Sequence, residues 1–261
     1  MKKIISLSLA IVIAAFATMI LVGAIDMEYT RPTDLPYGEL LFTEDFSTKP
    51  AGKMYGSGEV IDLNDTEDGF VRLGGRWDDN LYFILDGTEQ YKDNVIISLD
   101  GYTPNVQNGL IYGLSLFKSN NEGFTAHNSG LDVLWCENQG VSPTKRPGND
   151  QSTQFGDLTG KTPNADPHNF TAMIADGVVK LYYDGKYLND YSLSDLTIDD
   201  YAIGATVYAT WFDLDKLQIW SVAAEEETST DTSDFTAAAV ILASIAIIGG
   251  ATVVFKRRGA R

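Results

Sequence analysis

Trp77, in RLGGRWDDN, and Tyr182, Tyr187 and Tyr191, in NFTAMIADGVVKLYYDGKYLNDYSL, offer the plainest chemistry in this 261-residue chain. Their flat aromatic faces are the surfaces on which the apolar C–H faces of sugar rings stack. Trp211, in ATWFDLD, joins them as a candidate ligand-binding residue. Trp135 and Trp220 alternate with Val133 and Ile219, a pattern that favours packing over ligand contact. The acidic run DLNDTED, Asp62 to Asp68, supplies the oxygen ligands that calcium takes. Its spacing departs from the EF-hand loop, and a solvated turn is the plainer reading. His127 and His168 stand far apart with no clustered cysteine, against a zinc site. No Gly-x-Ser-x-Gly elbow, phosphate loop or Ser-His-Asp arrangement is visible.

The elements that must carry these residues are short. DGF, LDGT, LDGY, ADGV and YDGK punctuate runs such as NLYFILDG, NVIISLDG, GLIYGLSLF, LDVLWCE and VVKLYY, rich in β-branched and aromatic residues. Long helical periods are absent. About ten short strands joined by turns predict an all-β fold, an antiparallel two-sheet sandwich. The stretch from Glu137 to Pro167, with four prolines and several glycines, reads as a long loop. Asp184-Gly185 predicts a two-residue hairpin turn that pairs Tyr183 with Lys186, Tyr182 with Tyr187, and Leu181 with Leu188. Alternation then puts Val179, Leu181, Tyr183 and Leu188 on one face. Lys180, Tyr182, Tyr187, Asn189 and Tyr191 fall on the other, an outward strip that can bind a sugar or merely stabilise the sheet. Asp190 lands on the leucine side and hints at a bulge or an early strand end.

The ends decide the topology. Lys2 and Lys3 precede an uncharged run from Ile4 to Ile25, read as a signal peptide over residues 1–24 or an uncleaved signal anchor. The uncharged run Phe235–Phe255 would make a helix of about 31 Å, enough to cross a bilayer, and Lys256, Arg257, Arg258 and Arg261 follow it. The expected order is therefore a linker over 25–37, an ectodomain over 38–222, an acidic stalk over 223–234, a transmembrane helix over 235–255 and a cytoplasmic tail over 256–261. That places the ectodomain outside a cell membrane. An apolar span with a basic tail is similar to Gram-positive sorting signals, but STDTSDF lacks the Leu-Pro-x-Thr-Gly pattern a sortase reads. All 36 acidic residues lie between Asp26 and Asp234, while six of the 19 basic ones sit at the two ends. So acidic a middle excludes nucleic acid as a partner. Cys136 is the sole cysteine, so no intrachain disulfide exists, and VLWCE reads as a buried strand. Asn64 and Asn169 match the N-glycosylation acceptor pattern.

Three separated pieces carry a resemblance. LLFTEDFS resembles the opening strand of concanavalin A-like lectin/glucanase domains, including laminin-G-like modules. HNFTAMIADGVVKLYYDGKYLNDY resembles their central hairpin pair, and LDKLQIW their closing strand, with Leu214 in place of the usual Phe. The resemblance covers about residues 38–222. It implies a jelly roll of two curved sheets whose first and last strands lie close together in one sheet, with a ligand groove on the concave face or at a rim of loops. Members include lectins, glycan-binding and adhesion modules and endoglucanases, so the fold leaves function open. The glucanase branch carries Glu-x-Asp-x-x-Glu on one strand, because a nucleophile and an acid must flank the scissile bond about 5 Å apart. The nearest approach here is Asp132-Val133-Leu134-Trp135-Cys136-Glu137, with Leu in place of the central Asp. A regular strand would point Asp132 and Glu137 to opposite faces. The expectation is thus a non-catalytic surface protein that binds an extracellular glycan or another surface protein, with calcium as the one cofactor to consider. An atypical carbohydrate-active hydrolase and a structural spacer domain are the alternatives.

Overall fold

The computed structural model describes residues 27–62, 71–74, 80–104, 110–119, 129–147, 153–198 and 201–224. The segments expected as signal peptide, transmembrane helix and basic tail lie outside them, as do all but the first two residues of the expected stalk, Trp77, His127 and most of the Asp62–Asp68 run. Fourteen strands are present among the described residues. They are β1 (Tyr37–Glu44), β2 (Gly52–Gly56), β3 (Glu59–Asp62), β4 (Val71–Gly74), β5 (Asn80–Leu85), β6 (Val95–Tyr102) and β7 (Ile111–Lys118). After them come β8 (Leu131–Cys136), β9 (Gly140–Lys145), β10 (His168–Ala175), β11 (Val178–Tyr183), β12 (Lys186–Ser192), β13 (Ala202–Tyr208) and β14 (Trp211–Val222). Helix among the described residues is confined to single turns, α1 (Gly156–Thr159) and a 3-10 turn at Leu193–Asp195. None of the described helices is long and apolar enough to cross a membrane.

Two antiparallel sheets face one another. The eight-stranded sheet runs β12-β11-β10-β6-β14-β4-β3, with β1 also paired to β14. The six-stranded sheet runs β2-β5-β13-β7-β8-β9. Period-two alternation aims one side of each strand at the space between the sheets. Val95, Ile97 and Leu99 of β6, Phe170, Ala172 and Ile174 of β10, and Leu131, Val133 and Trp135 of β8 fill it. Tyr112, Phe170 and Phe212 make an aromatic centre, Tyr112 and Phe212 having ring centroids 5.0 Å apart. The expected packing role of Trp135 and the burial of Cys136 both hold. Burial pushes the Cys136 thiol up to about 12, against the opposing pull of Arg146.

The first and last strands pair as expected, Tyr37 opposite Val222 and Phe42 opposite Ile219. All fourteen strands and the central core lie between residues 37 and 222, and residues 27–36 add Leu35 to a second buried cluster, so residues 27–224 have the make-up of a domain with its own core. One expectation is corrected: the stretch from Glu137 to Pro167 is not a loop throughout. It contains β9, paired with β8 through Val133 opposite Pro143, and the turn α1. Pro143 hid the strand, and it is tolerated because β9 is the edge of its sheet, where a missing donor faces no neighbour.

The Asp184-Gly185 turn forms as predicted, with φ of 46° and 74°, the signature of a type I′ hairpin. Tyr183 pairs with Lys186 and Tyr182 with Tyr187. The third pair differs: Leu181 faces Asn189, because Leu188 bulges. That extra residue shifts the parity of β12, so Asp190 joins Lys180 on the outer face and Tyr191 turns inward opposite Val179. Asp190 thereby escapes the core, and Tyr191 leaves the outward strip.

Candidate functional site

On β8 the inward set Leu131, Val133 and Trp135 leaves Asp132, Leu134 and Cys136 on the outer face of the six-stranded sheet. Asp132 sits there between Ser115 of β7 and Thr144 of β9. A bulge shapes what meets it. Between the pairs Gly204–Ser115 and Ala202–Lys118, β7 carries one residue more than β13, and Leu116 and Phe117 both enter the core. Phe117 takes φ of 57° to do so, and Lys118 is returned to the outer face beside Asp132.

Both carboxylate oxygens of Asp132 are occupied. Oδ1 lies 2.7 Å from Lys118 Nζ and accepts from Ser115 Oγ at 2.8 Å, while Oδ2 accepts from Arg146 Nε at 2.7 Å. Lys118 also donates to Ser129 O at 3.0 Å and lies 5.0 Å from the Tyr82 ring centroid. Ser115 Oγ bonds Thr206 Oγ1 in turn. Burial alone would raise the Asp132 pKa, but the Lys118 and Arg146 charges outweigh it and hold the carboxyl below its ordinary range. Burial pulls the Lys118 ammonium down despite its partner, and it pushes the Tyr82 phenol up. Burial opposes the Arg146 charge too, yet Asp132 and Tyr82 raise its pKa.

This arrangement is unsuited to hydrolysis at Asp132. A glycosidase acid needs a raised pKa, and a nucleophile needs a lone pair aimed at substrate. Asp132 has neither: it is ionised, fully buried and saturated by two cations and a hydroxyl. Leu134 stands where the central carboxylate of the glucanase motif would be, and Glu137 lies past the end of β8, its N–H bound to Leu110 O. Among the described residues no three His, Cys, Asp or Glu side chains converge as a metal site.

The expected aromatic residues are scattered. Tyr182 and Tyr187 meet on the outer face of the eight-stranded sheet, edge to face at 5.6 Å. Tyr187 is half exposed, but Tyr182 is buried among Leu35, Ile96 and Met173, and that burial pushes its phenol up to about 12. Tyr191 packs against the central core, with Lys145 Nζ 5.6 Å from its ring. Trp211 is half-buried at the start of β14, opposite Gly74. The acceptor pattern at Asn169 is corrected too. Its amide is fully buried and donates to Ser98 Oγ and Asp100 Oδ1, both at 2.6 Å, so a folded chain does not present it for glycosylation.

The partners of Asp132 were not legible beforehand. Lys118 depends on the bulge, and Arg146 follows a strand that its proline disguised. An isolated Asp among apolar strand residues was the available signal, since such a group needs a partner when buried.

No family model matches the chain, and no curated protein does. Solved structures do. A Bacillus subtilis protein of unknown function with a galectin-like fold superposes with a TM-score of 0.51 at 12% identity, over 73% of this chain and 100% of that one. The endo-beta-1,3-glucanase from Pyrococcus furiosus gives 0.50 at 13% identity, over 76% and 99%. A structure reported for endo-acting O-glycanases of the human gut microbiota, which initiate mucin breakdown, gives 0.50 at 10% identity, over 71% and 100%. The fold is the concanavalin A-like jelly roll. At such identities the likeness is one of fold alone, and a fold of this kind leaves the function open.

Proposed function

We propose that this jelly roll is a non-catalytic carbohydrate-recognition module displayed outside a cell membrane. The observation that supports the reading is Asp132: in the stretch nearest to the glucanase motif, Asp132 to Glu137, the one buried acid is neutralised by Lys118 and Arg146. A carboxylate so held cannot serve as acid or nucleophile, which favours binding over bond cleavage. Display rests on the lysines and uncharged run of residues 2–25 and on the run Phe235–Phe255 with its basic tail. The acidic composition suits neutral or cationic ligands and repels polyanions.

The test is a glycan array probed with the fragment 26–224, with calcium and with chelator, followed by titration calorimetry on any hit. Specific binding is the expected result, and failure on every glycan under both conditions overturns it. The fold shared with two glycanases favours the second reading, a hydrolase with an atypical site. Hydrolysis of a polysaccharide that disappears in Glu137→Gln would establish that reading instead.

A further inference from the structure

The outer face of the eight-stranded sheet is polar along its middle, yet closed to solvent. Ser98 and Asp100 of β6 and Asn169 and Thr171 of β10 are all buried there. Thr171 Oγ1 donates to Asn169 Oδ1 at 2.7 Å, and Asn169 donates onward to Ser98 and Asp100. What closes this face is the segment 27–36, a strap that runs into β1. Arg31 donates to the remaining oxygen of Asp100, and its guanidinium carbon lies 5.7 Å from the Trp220 ring centroid. Leu35 packs with Ile96, Met173 and Tyr182, and the Arg31 carbonyl runs beside Gly185 of the hairpin turn.

The strap is a loose cover. Its backbone hydrogen bonds among the described residues are at its last two positions, Leu35 O to Tyr37 N and Pro36 O to Ala223 N. Everything before them is held by side chains. Three buried polar atoms, Arg31 Nε of the strap, Tyr37 Oη at its end and Gln218 Oε1 on β14 opposite Ser98, have no hydrogen-bond partner among the described residues. Buried polar groups are normally satisfied, so this interface is poorly matched.

We propose that the strap is a pseudo-ligand over a sugar-binding face, and that its displacement uncovers a site for one neutral pyranose. Arg31 makes the two contacts that such a ring makes, a donor to a carboxylate and a flat face against an indole. When it leaves, Asp100 Oδ2 accepts a sugar hydroxyl, Trp220 takes the C–H face, and Gln218 gains the partner it lacks. Pro36 is the hinge, because the strap is sewn to the sheet only from there on. This rests on carbohydrate recognition as proposed above, and it adds where the sugar sits and what holds it off.

The fragment 26–224 is compared with Arg31→Ala/Leu35→Ala, using hydrogen exchange over residues 27–36 and the same glycan array. The expected result is faster exchange in the strap, an intact cooperative melt and apparent affinity raised roughly tenfold or more, as for a site otherwise uncovered a tenth of the time. Adding Trp220→Leu or Gln218→Ala abolishes the gain. If the double variant does not fold, Arg31→Ala alone serves; if its strap stays down, a chain beginning at Tyr37 does. A folded protein with a released or absent strap and the parent's glycan profile overturns the inference and leaves the carbohydrate reading standing. No binding by any form overturns both.

Discussion

Lys118 Nζ and Asp132 Oδ1 lie 2.7 Å apart with both side chains fully buried, joined because a bulge in β7 turns the lysine out of the core register. Removing Asp132 strands two cations in a dry environment. Asp132→Leu is therefore expected to destabilise the domain by about 3–5 kcal/mol in denaturant titration, and Lys118→Met/Asp132→Leu to recover part of that loss.

The depressed Asp132 pKa sets an acid limb. The unfolded carboxyl titrates near pH 3.9, so between that value and the lower folded one the unfolded state binds more protons, and stability rises with pH there. The contribution is fully present above about pH 5 and is lost as pH falls through the folded pKa. Melting temperature followed from pH 6 to pH 2 checks this, and Asp132→Asn, less stable throughout, is expected to fall less steeply.

Asp215 has the opposite sign. Burial, with Asp100 nearby, raises its pKa against the opposing pull of Lys216. The folded state then binds more protons than the unfolded one between the two values, and stability falls as pH rises through that window. Asp215→Asn keeps a polar partner for Tyr29 without the charge and is expected to raise the melting temperature at pH 7.

Two turn glycines separate backbone strain from contact with the strap. Gly177 and Gly185 share φ of 74°, but a Cβ at Gly177 meets open space, while one at Gly185 comes within 3.1 Å of Arg31 O. Either Ala substitution is expected to cost about 1–2 kcal/mol for the left-handed conformation. Only Gly185→Ala should also speed hydrogen exchange over residues 27–36.

One buried and one exposed aromatic residue give a control on burial. Phe170→Ala, at the aromatic centre, is expected to cost about 3–5 kcal/mol. Tyr187→Ala, half exposed at the rim of its sheet, is expected to stay within roughly 0.5 kcal/mol in a urea titration.

Local rules recovered much of this architecture. Asp184-Gly185 announced its turn and two of its cross-strand pairs, and the runs NVIISLDG and LDVLWCE announced β6 and β8. What they missed was non-local. Nothing around Leu188 marks a bulge except the misplaced Asp190, and a one-residue slip was enough to carry Tyr191 to the other face. Lys118 finds Asp132 only after a second bulge. Residues 27–36 have no period at all, because side chains reaching sheet residues far away in the chain hold them down.

The pairing of Tyr37 with Val222 has a mechanical meaning. The chain enters and leaves the jelly roll at adjacent points, with Ala223 N bound to Pro36 O at 2.7 Å. Tension drawn between those two points would load the β1–β14 ladder one rung at a time, like a zip, rather than all at once in shear. A domain threaded in this way gives early under a pull on both ends, and a tether at one end alone spares it that load.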